Sequence, residues 1–564
     1  MSAAAQPASA MGKGMRSFLR MDFWSVVMAA SLALIAVLLA WPIVQVLMLG
    51  FIDPATEKFT LANYGKVLTH PYYLGALKNT VIVGVGGMVG ACLLGIPLAY
   101  FVARYVIWGR TLIATLAVLA LVSPPFIGAY AWVMILGNNG WLTQLLKSWG
   151  IAVPTIYGIH GIVLVFSLKF FPFVYLMTES AIRNINRSYE EAAHNLGCTP
   201  LQRFFKITLP LVFPAASSGA ILCFVLSIAD FGTPSIIGRD FRTLSTIAYN
   251  QYTSEMGGPP TMAVSISMLM IVISMLAVAL QRYLINKRSY AGSMTNLIAP
   301  REVSGLKGAL AHALCYGIVF LATLPIAVVI YTSFLQTSGP VFTGGFGLNS
   351  YARVVKEVPD VIGNTFLFAL IAVALITIAG SLISYIIVRR GTAMSGFLDS
   401  VLMVPYVVPG VVMAIGFLLV FNTGVFDLVG TATIIVLILF IRRLPYGVRA
   451  TSSVLRQIKP SIEEAAVSLG ASPAKAFLKV TVPLMMPGLI AGAMMSFITA
   501  INELSSTLLL YTARTATMPV RIYSAVLDGE FGVAAALSTI LLVSSGLCVF
   551  VVFRFSQSKE GAFV

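Results

Sequence analysis

The sequence has few charged residues and few cysteines for its length, and each shortage excludes a class of protein. Charged residues make up 10% of the 564 residues, hydrophobic residues make up 58%, and the mean hydropathy is +0.92. A soluble protein of this composition would need about a dozen helices that are apolar on every face, which ordinary soluble domains do not contain. The five cysteines are scattered and form no CxxC pair, so neither a metal cage nor a disulfide framework is indicated.

Apolar runs of about 20 residues, the length that crosses a hydrocarbon core, recur along the whole chain. They predict an all-α polytopic membrane protein with about twelve spans in two pseudo-symmetric halves of six helices. The predicted spans are residues 23–50, 80–103, 111–136, 157–182, 211–230, 261–281, 309–333, 364–388, 398–421, 430–453, 484–502 and 533–555. The first run is too long for the apolar core of a signal peptide, so we interpret it as a span and not as a cleaved leader.

The distribution of basic residues predicts the orientation of the chain. An even number of spans places both termini on one side, and there Lys and Arg outnumber Asp and Glu by more than two to one. The segments on the opposite side carry nearly equal numbers of basic and acidic residues. By the positive-inside rule, both termini are expected to be cytoplasmic. The formal net charge of +16 then reflects this orientation, and nucleic-acid binding is not needed to explain it.

Residues 188–214 and 461–487 form an internal repeat. They align without a gap at an offset of 273 and match at 14 of 27 positions. The repeat predicts two halves that cross the membrane in the same direction. The predicted boundaries are a cytoplasmic N-terminal segment at 1–22, a first transmembrane domain at 23–281, a cytoplasmic linker at 282–308, a second transmembrane domain at 309–555 and a cytoplasmic tail at 556–564.

Each copy of the repeat has the pattern of a helix, a bend and a second helix. In the first copy, Ser188 and Glu191 have the spacing of a capping box that starts a helix, and Gly197 follows as a left-handed stop. Thr199-Pro200 then begins the second helix. The corresponding residues of the second copy are Ser461, Glu464, Gly470 and Ser472-Pro473. The sequence therefore predicts a rigid cytoplasmic elbow in each half, whose acidic head and small alanine face suit a groove on a partner protein.

The spacing within the repeat is similar to that of a known motif. Both copies read Glu-Ala-Ala, three residues, Gly and nine residues, and then end on Ile-Thr-Leu-Pro or Val-Thr-Val-Pro. This pattern resembles the EAA loop of ABC importer permeases, and the resemblance covers nearly the whole chain. It implies a type I importer of the bacterial inner membrane, in which a periplasmic binding protein delivers substrate and two ATPase subunits dock on the elbows. The implied ATPase-coupling residues are Glu190, Glu191, Ala192, Ala193 and Gly197 in the loop at 188–210, and Glu463, Glu464, Ala465, Ala466 and Gly470 in the loop at 461–483.

The resemblance also implies a division of tasks among subunits. The chain has no G-x-x-x-x-G-K-[ST] motif, so ATP and Mg are expected on the partner ATPase subunits. We predict a transport subunit and not an enzyme, with no catalytic residue, no metal site and no cofactor bound by this chain. The expected partners are two ATPase subunits, the periplasmic binding protein and the lipid bilayer, with no nucleic acid.

The sequence defines the substrate less narrowly than it defines the type of transporter. The double-length form resembles the ferric-iron permease group, through the segments at 229–234, 443–446 and 502–507. This resemblance implies ferric iron as the substrate, with phosphonates, phosphorylated sugars, thiamine and polyamines as open alternatives. A secondary transporter is a more distant alternative, because many of these also have two six-helix halves. It predicts an acidic residue in the loop after the second span, but residues 104–110 contain none.

Five ionisable residues lie in or beside the predicted spans and are candidates for the transport pathway or its gate. Asp230 and Glu503 take equivalent places at the outer ends of the fifth spans, where a facing pair would guide a hard cation. Alternatively, each carboxylate caps a helix or pairs with an arginine. Lys169 and Arg442 are also equivalent, and Arg443 lies beside Arg442. These cations either attract an anionic substrate or, as we favour, satisfy carbonyl groups freed by the prolines three residues later.

Three further expectations follow from the placement of the elbows. Each elbow leads directly into a fifth span, so we predict that residues 230–234 and 503–507 lie near the pseudo-twofold axis and close the outer side of the pathway. Because both elbows are on one chain, we expect one permease chain to assemble with two ATPase copies. A bulky β-branched residue at Gly197 or Gly470 should uncouple transport, since such residues tolerate the left-handed conformation poorly.

Overall fold

The computed structural model describes residues 23–53, 56–152, 154–254, 260–287, 300–338, 341–422 and 427–560. The predicted N-terminal segment at 1–22, and parts of the predicted linker and tail, lie outside the described residues. Within them the chain is almost entirely helical, which confirms the predicted all-α fold. The one sheet in these ranges is an antiparallel hairpin of β1 (Leu335–Ser338) and β2 (Val341–Phe346).

The helices of the two halves follow the same order. The first half contains α1 (Phe23–Leu49), α2 (Ala62–Thr69), α3 (Pro71–Arg104), α4 (Arg110–Val122), α5 (Pro125–Leu136), α6 (Trp141–Ser148), α7 (Ile159–Arg183), α8 (Arg187–Asn195), α9 (Pro200–Ala229), α10 (Gly232–Ile237), α11 (Leu244–Thr253) and α12 (Pro260–Lys287). The second half contains α13 (Gly305–Ser333), α14 (Asn349–Glu357), α15 (Pro359–Arg390), α16 (Ala393–Val407), α17 (Gly410–Val420), α18 (Ala432–Gln457), α19 (Pro460–Ser468), α20 (Pro473–Ile501), α21 (Thr507–Leu510), α22 (Met518–Leu527) and α23 (Phe531–Glu560). Several begin at a proline, whose fixed backbone angle suits a first helical turn.

Among the described residues, nine helices are long and apolar enough to cross a membrane. They are α1, α3, α7, α9, α12, α13, α15, α20 and α23. Two helix pairs that are bent at a short break raise the number to eleven if each pair is one span. Helix α18 has 26 residues and occupies the place of a further span, but it carries Arg442, Arg443 and Arg449 among its apolar residues. The twelve predicted apolar runs therefore all correspond to helices or bent helix pairs.

The third span of each half differs from the sequence-based expectation. The sequence predicts spans at 111–136 and 398–421, and each of these runs is broken by a sharp bend. Helix α4 is bent by 99° to the segment of α5 and α6, and α16 is bent by 107° to α17. The breaks fall at Pro124 and Pro409, because a proline ring clashes with the preceding turn and supplies no amide proton to it. Each half thus places two half-helices, end to end, where one straight span was expected.

The first span of each half packs against the other half. Helix α1 shares a hydrophobic core with α15, α17 and α18. The approach is closest at Gly416 of α17, where a Cβ atom would lie 2.9 Å from the carbonyl oxygen of Pro42 in α1. In the same way, α13 packs on α3, α4 and α5 in a second core. The two halves are therefore interlocked. The domain boundaries that the sequence predicts stay a prediction.

Candidate functional site

Each elbow consists of a short helix, a glycine bend and the beginning of the fifth span. We define the first elbow as residues 187–208 and the second as 460–481. Helices α8 and α19 begin one residue before the predicted capping serines, so the caps predicted at Ser188 and Ser461 are wrong. The side chain of Asn186 accepts the amide proton of Ser188 instead. In the second copy Pro460 holds the first helical position, where no amide proton has to be satisfied.

The bend of each elbow is a left-handed glycine, which confirms the predicted conformation. Gly197 has a φ angle of 79° and Gly470 one of 90°. In both copies the glycine N–H and the following N–H donate back into the last turn of the helix, the pattern of a Schellman stop. A Cβ atom on either glycine would meet no atom within 4 Å. The backbone conformation alone therefore disfavours other residues at these positions.

The second helix of each elbow continues without interruption into the fifth span, α9 or α20. Thr199 and Ser472 cap these helices as predicted, each accepting an amide proton from three residues later. A wider π-helical turn at 204–208 and at 477–481 precedes Pro210 and Pro483. The wider turn accommodates a proline that cannot donate to the turn before it. One helix thus connects each elbow to the far end of its fifth span.

The predicted coupling residues are mostly on the surface of the elbows. The exposed residues include Glu191, Ala192, Glu464 and Ala465, whereas Ala466 is half-buried and Ala193 is buried. Two residues that the sequence reasoning missed, Leu196 and Leu469, are 84% and 90% exposed. The available signal was their position directly before the stop glycine in both copies. Exposed leucines beside an acidic helix are typical of a surface that a partner covers.

The first glutamate of each loop faces inward and holds its elbow to the body of the same half. In the first half Arg104 Nη2 lies 2.6 Å from Glu190 Oε1. In the second half Arg389 Nε lies 3.8 Å from Glu463 Oε2, and the Tyr385 hydroxyl also donates to this carboxylate. Both arginines stand at the ends of second spans, α3 and α15. Sequence reasoning missed these ion pairs, although a tyrosine and an arginine recur four residues apart in both halves.

A cavity of about 300 Å³ lies where the two halves meet, and we call it the axial cavity. Its walls come from both broken third spans, both fourth spans (α7 and α18) and both fifth spans. All five predicted pathway or gate residues line it, namely Lys169, Asp230, Arg442, Arg443 and Glu503. Three basic and two acidic side chains therefore share one cavity. Each has a hydrogen-bond partner in the protein, and these partners differ between the halves.

Asp230 caps the short helix that follows the fifth span of the first half. Its Oδ2 atom accepts the amide proton of Thr233 at 2.8 Å. Its own carbonyl oxygen accepts a hydrogen bond from the Ser245 hydroxyl at 2.9 Å, which ties α11 to the same point. The Asp230 carboxylate is thus directed at the backbone of its own half.

Glu503, the equivalent residue of the second half, lies between two arginines of α18. Its Oε1 atom is 2.5 Å from Arg442 Nη1, and its Oε2 atom accepts from Arg443. The same carboxylate accepts the amide and hydroxyl protons of Ser506 at 3.1 and 2.8 Å. The side chain is 5% exposed, so protein donors engage it fully in this conformation. In the part of the chain that the structure describes, no group of three or more His, Cys, Asp or Glu side chains is placed to hold a metal ion.

Lys169 satisfies backbone carbonyl groups, but they belong to another helix than the one we expected. Its Nζ atom donates to the carbonyl oxygen of Ala120 at 2.9 Å and to those of Leu121 and Ser123. These groups form the last turn of α4 and the break behind it. The expected carbonyls, in the turn before Pro172 of its own helix, are not its partners. The equivalent Arg442 binds side chains instead.

The two predicted gate segments meet between the halves. A Cβ atom on Gly232 would lie 3.0 Å from Leu504 Cδ2, so residues 230–234 touch residues 503–507. Each segment also packs on the start of a half-helix. A Cβ atom on Gly232 would lie 2.7 Å from Phe126 Cβ of α5, and one on Gly410 of α17 would lie 2.8 Å from Ser505 Cβ. The two segments therefore touch each other and both broken spans, while their place at the pseudo-twofold axis stays a prediction.

An aromatic layer covers the first gate segment on the side away from the elbows. The Phe231 ring lies against the rings of Tyr249 (α11) and Tyr523 (α22), with centroid separations of 4.7 and 5.7 Å. Burial, together with the nearby phenols of Tyr523 and Tyr511, raises the pKa of Tyr249 to about 12. The layer is therefore uncharged at neutral pH. It contains groups from both halves, so the first gate segment contacts the second half here as well.

Comparison with known proteins finds one family in both halves. The family described as binding-protein-dependent transport system inner membrane component matches residues 95–290 and 376–559. A ferric transport system permease protein of Actinobacillus pleuropneumoniae is 29% identical over 530 residues, which cover 90% of this chain and 75% of the relative. An Fe(3+)-transport system permease protein of Haemophilus influenzae is 24% identical over 87% of this chain and 92% of its own length. A molybdenum transport system permease protein of Mycobacterium tuberculosis is 29% identical over 219 residues, 38% of this chain.

Proposed function

Because this chain belongs to the family of binding-protein-dependent transport system inner membrane components, we propose that it is the path by which an ABC importer carries ferric iron into the cell. The observation that supports this substrate is the extent of similarity to ferric transport permeases. About nine-tenths of the chain, including both halves, aligns with the relative from Actinobacillus pleuropneumoniae. The molybdenum permease aligns with less than half of the chain. A full-length match to a double-length permease is stronger support than a match to one half.

We propose that one chain, as a monomer, works with two ATPase subunits and one periplasmic binding protein, with both termini in the cytoplasm. The support for two ATPase copies is one exposed elbow in each half, with the same glycine bend in both. ATP and Mg bind to the ATPase subunits, and this chain binds no cofactor. Native mass spectrometry of the purified complex tests the assembly, with one permease chain and two ATPases expected. Two permease chains with two ATPases would contradict it, because four elbows would then face two sockets.

We further propose that ATP-driven movement of the elbows opens and closes the axial cavity. Each elbow is continuous with a fifth span, and each fifth span ends at a gate segment. A change in the separation of the two ATPases would therefore move residues 230–234 and 503–507 relative to one another. Coupling of this kind requires an element with two discrete arrangements, and the contact between the two segments supplies one of them.

An oxyanion is a second candidate substrate, favoured by one observation. The axial cavity is lined by three basic and two acidic side chains, so it carries an excess of positive charge. Relatives named as molybdenum and sulfate transport permeases match 38% and 31% of the chain. Phosphonates and phosphorylated sugars are anions and also suit this charge, whereas the cations thiamine and polyamines, like ferric iron itself, do not.

Uptake by the complete importer tests the substrate. The importer is reconstituted in proteoliposomes from this chain, its ATPases and the binding protein encoded beside it. We expect uptake of radioactive ferric iron that requires both ATP and the binding protein, and that is lost with a hydrolysis-defective ATPase. Uptake of molybdate or sulfate without uptake of ferric iron would replace the ferric proposal with the oxyanion candidate. Uptake that does not require the ATPase would contradict the importer assignment itself.

A further inference from the structure

The break in the third span of the first half leaves two carbonyl groups without their helical donors. In a continuous helix the carbonyl of Ala120 would accept the amide proton of residue 124, and that of Leu121 the proton of residue 125. Both of these residues are proline, Pro124 and Pro125, and neither has an amide proton. Carbonyl groups that lack a donor strongly destabilise a membrane helix unless another group supplies the missing proton.

Two side chains replace these donors. The Ser123 hydroxyl donates to the carbonyl oxygen of Ala120 at 3.0 Å, and a lysine from the neighbouring span serves both carbonyl groups. Lys169 lies on α7, and its Nζ atom donates to the carbonyl oxygens of Ala120, Leu121 and Ser123. The side chain is 8% exposed, so the ammonium group is almost fully removed from solvent. An ammonium group carries three protons, one for each carbonyl. It also lies at the carboxyl end of α4, where the helix dipole favours a positive charge.

The break in the third span of the second half has different side-chain contacts. At its break only one proline, Pro409, follows the half-helix, and Gly410 retains its amide proton. The equivalent of Lys169 is Arg442, whose Nη1 atom binds Glu503 at 2.5 Å and the Ser506 hydroxyl at 3.2 Å. The first half thus has an ammonium group bound to carbonyl oxygens, at a break where two consecutive prolines supply no amide protons.

We infer that Lys169 is a positioning residue: its ammonium group replaces the amide protons that Pro124 and Pro125 lack, and it thereby sets the bend that carries the gate. Phe126, directly after these prolines, packs on Gly232 of the first gate segment. Helix α7 in turn leads into α8 of the first elbow after a short turn. The protons of the Lys169 ammonium group are thus used within the protein.

Chemical rescue tests this inference on the full-length purified chain. In Lys169→Ala the missing atoms correspond to n-propylammonium, whereas in Lys169→Met an apolar side chain fills the same space. We expect both variants to lower the melting temperature by several degrees. Millimolar n-propylammonium should restore much of the loss in Lys169→Ala and should change neither Lys169→Met nor the native chain. Tetramethylammonium has the same charge and no N–H donor, so it should restore nothing. In the reconstituted importer, n-propylammonium should recover uptake for Lys169→Ala only.

Three results would overturn the inference. One is a Lys169→Ala chain as stable as the native chain. Another is an equal response of the alanine and methionine variants to n-propylammonium, and the third is equal rescue by tetramethylammonium. If Lys169→Ala does not accumulate in the membrane, Lys169→Arg provides the test, because a guanidinium group also donates to several carbonyls. The arginine variant must then be more stable than the methionine variant, and equal behaviour of the two contradicts the inference. None of these outcomes depends on which substrate is transported.

Discussion

The elbows and the axial cavity are both built from pairs of equivalent residues, yet only the elbows keep nearly the same contacts in both copies. The left-handed glycine, the capped second helix, the π-helical turn and the exposed leucine all recur. In the cavity, equivalent residues have different partners. Lys169 binds backbone carbonyls, whereas Arg442 binds Glu503. Phe170 in the first half corresponds to Arg443 in the second.

The difference follows from what each region faces. In the assembly that we propose, the two elbows of one chain meet two copies of the same ATPase, so one shape serves both. The cavity is formed by the halves against each other, and there the equivalent residues Gly232 and Ser505 have different neighbours. Gly232 packs on Phe126 of its own half and on Leu504 of the other, whereas Ser505 lies against Gly410. The repeat is thus nearly symmetric at the elbows and diverges where the two halves meet.

The largest expected contrast within the cavity is between its two carboxylates. Glu503→Gln removes the charge that compensates two buried arginines, so we expect a loss of about 3–5 kcal/mol in the free energy of unfolding. Asp230→Asn keeps a side chain that can still cap α10, and we expect a loss below about 1 kcal/mol. Detergent-induced unfolding of the two purified variants measures both values. Equal losses would show that the ion pairs seen at Glu503 do not distinguish the halves.

A second contrast uses Gly232 and Ser505, the equivalent residues of the two gate segments. Gly232→Ser introduces atoms where a Cβ would already lie 2.7 Å from Phe126 Cβ, so we expect a loss of about 1–3 kcal/mol from overpacking. The reverse change in the other half, Ser505→Gly, removes atoms and should cost less than about 1 kcal/mol. Phe126→Ala should cost less in the Gly232→Ser chain than in the native chain, because the two side chains compete for one space. Strict additivity of these two changes would contradict the contact.

The elbows could be predicted from the sequence because local rules determine them. Glycine stops and proline-led helices depend on residues within a few positions of one another, and Gly197, Thr199 and Ser472 take the predicted roles. The helix starts at 187 and 460 were missed by one residue, since Asn186 and Pro460 satisfy the first turn better than the serines do.

The partners of the cavity residues could not be predicted, because they come from distant parts of the chain. Lys169 was expected to serve carbonyls near Pro172, but its partners are 46 to 49 residues away in sequence. The breaks in the third spans were also missed, since hydropathy does not register a bend. The consecutive prolines at 124 and 125 were the signal that was available in the sequence. The interlocking of α1 and α13 with the opposite halves has no local signal in the sequence.

A third prediction tests the symmetry of the elbows directly. Gly197→Val and Gly470→Val each place a β-branched residue at a φ angle that costs roughly 1–2 kcal/mol for such a residue. Both variants should insert normally and should lose substrate-stimulated ATPase activity to the same extent in the assembled importer. Gly396→Val is the matched control, because Gly396 is helical and a Cβ atom there meets nothing within 4 Å. Normal activity of Gly470→Val, or unequal effects of the two elbow variants, would contradict the prediction.

The smallest expected effect lies at the ion pairs that hold the elbows, and it would show where their symmetry ends. Arg104 and Glu190 are 2.6 Å apart and 5% and 14% exposed, whereas Arg389 and Glu463 are 3.8 Å apart and share their site with Tyr385. A double-mutant cycle with Arg104→Ala and Glu190→Ala should therefore give a coupling energy of about 1 kcal/mol in unfolding experiments. The cycle with Arg389→Ala and Glu463→Ala should give about 0.5 kcal/mol or less, because the longer pair is weaker and the tyrosine hydroxyl continues to serve the carboxylate. If the two coupling energies are equal, the elbows are held identically and the difference in distance has no energetic consequence. If the coupling energy of Arg389 and Glu463 is the larger, the Tyr385 hydroxyl strengthens this ion pair instead of substituting for the arginine. The first elbow is then the more loosely held of the two.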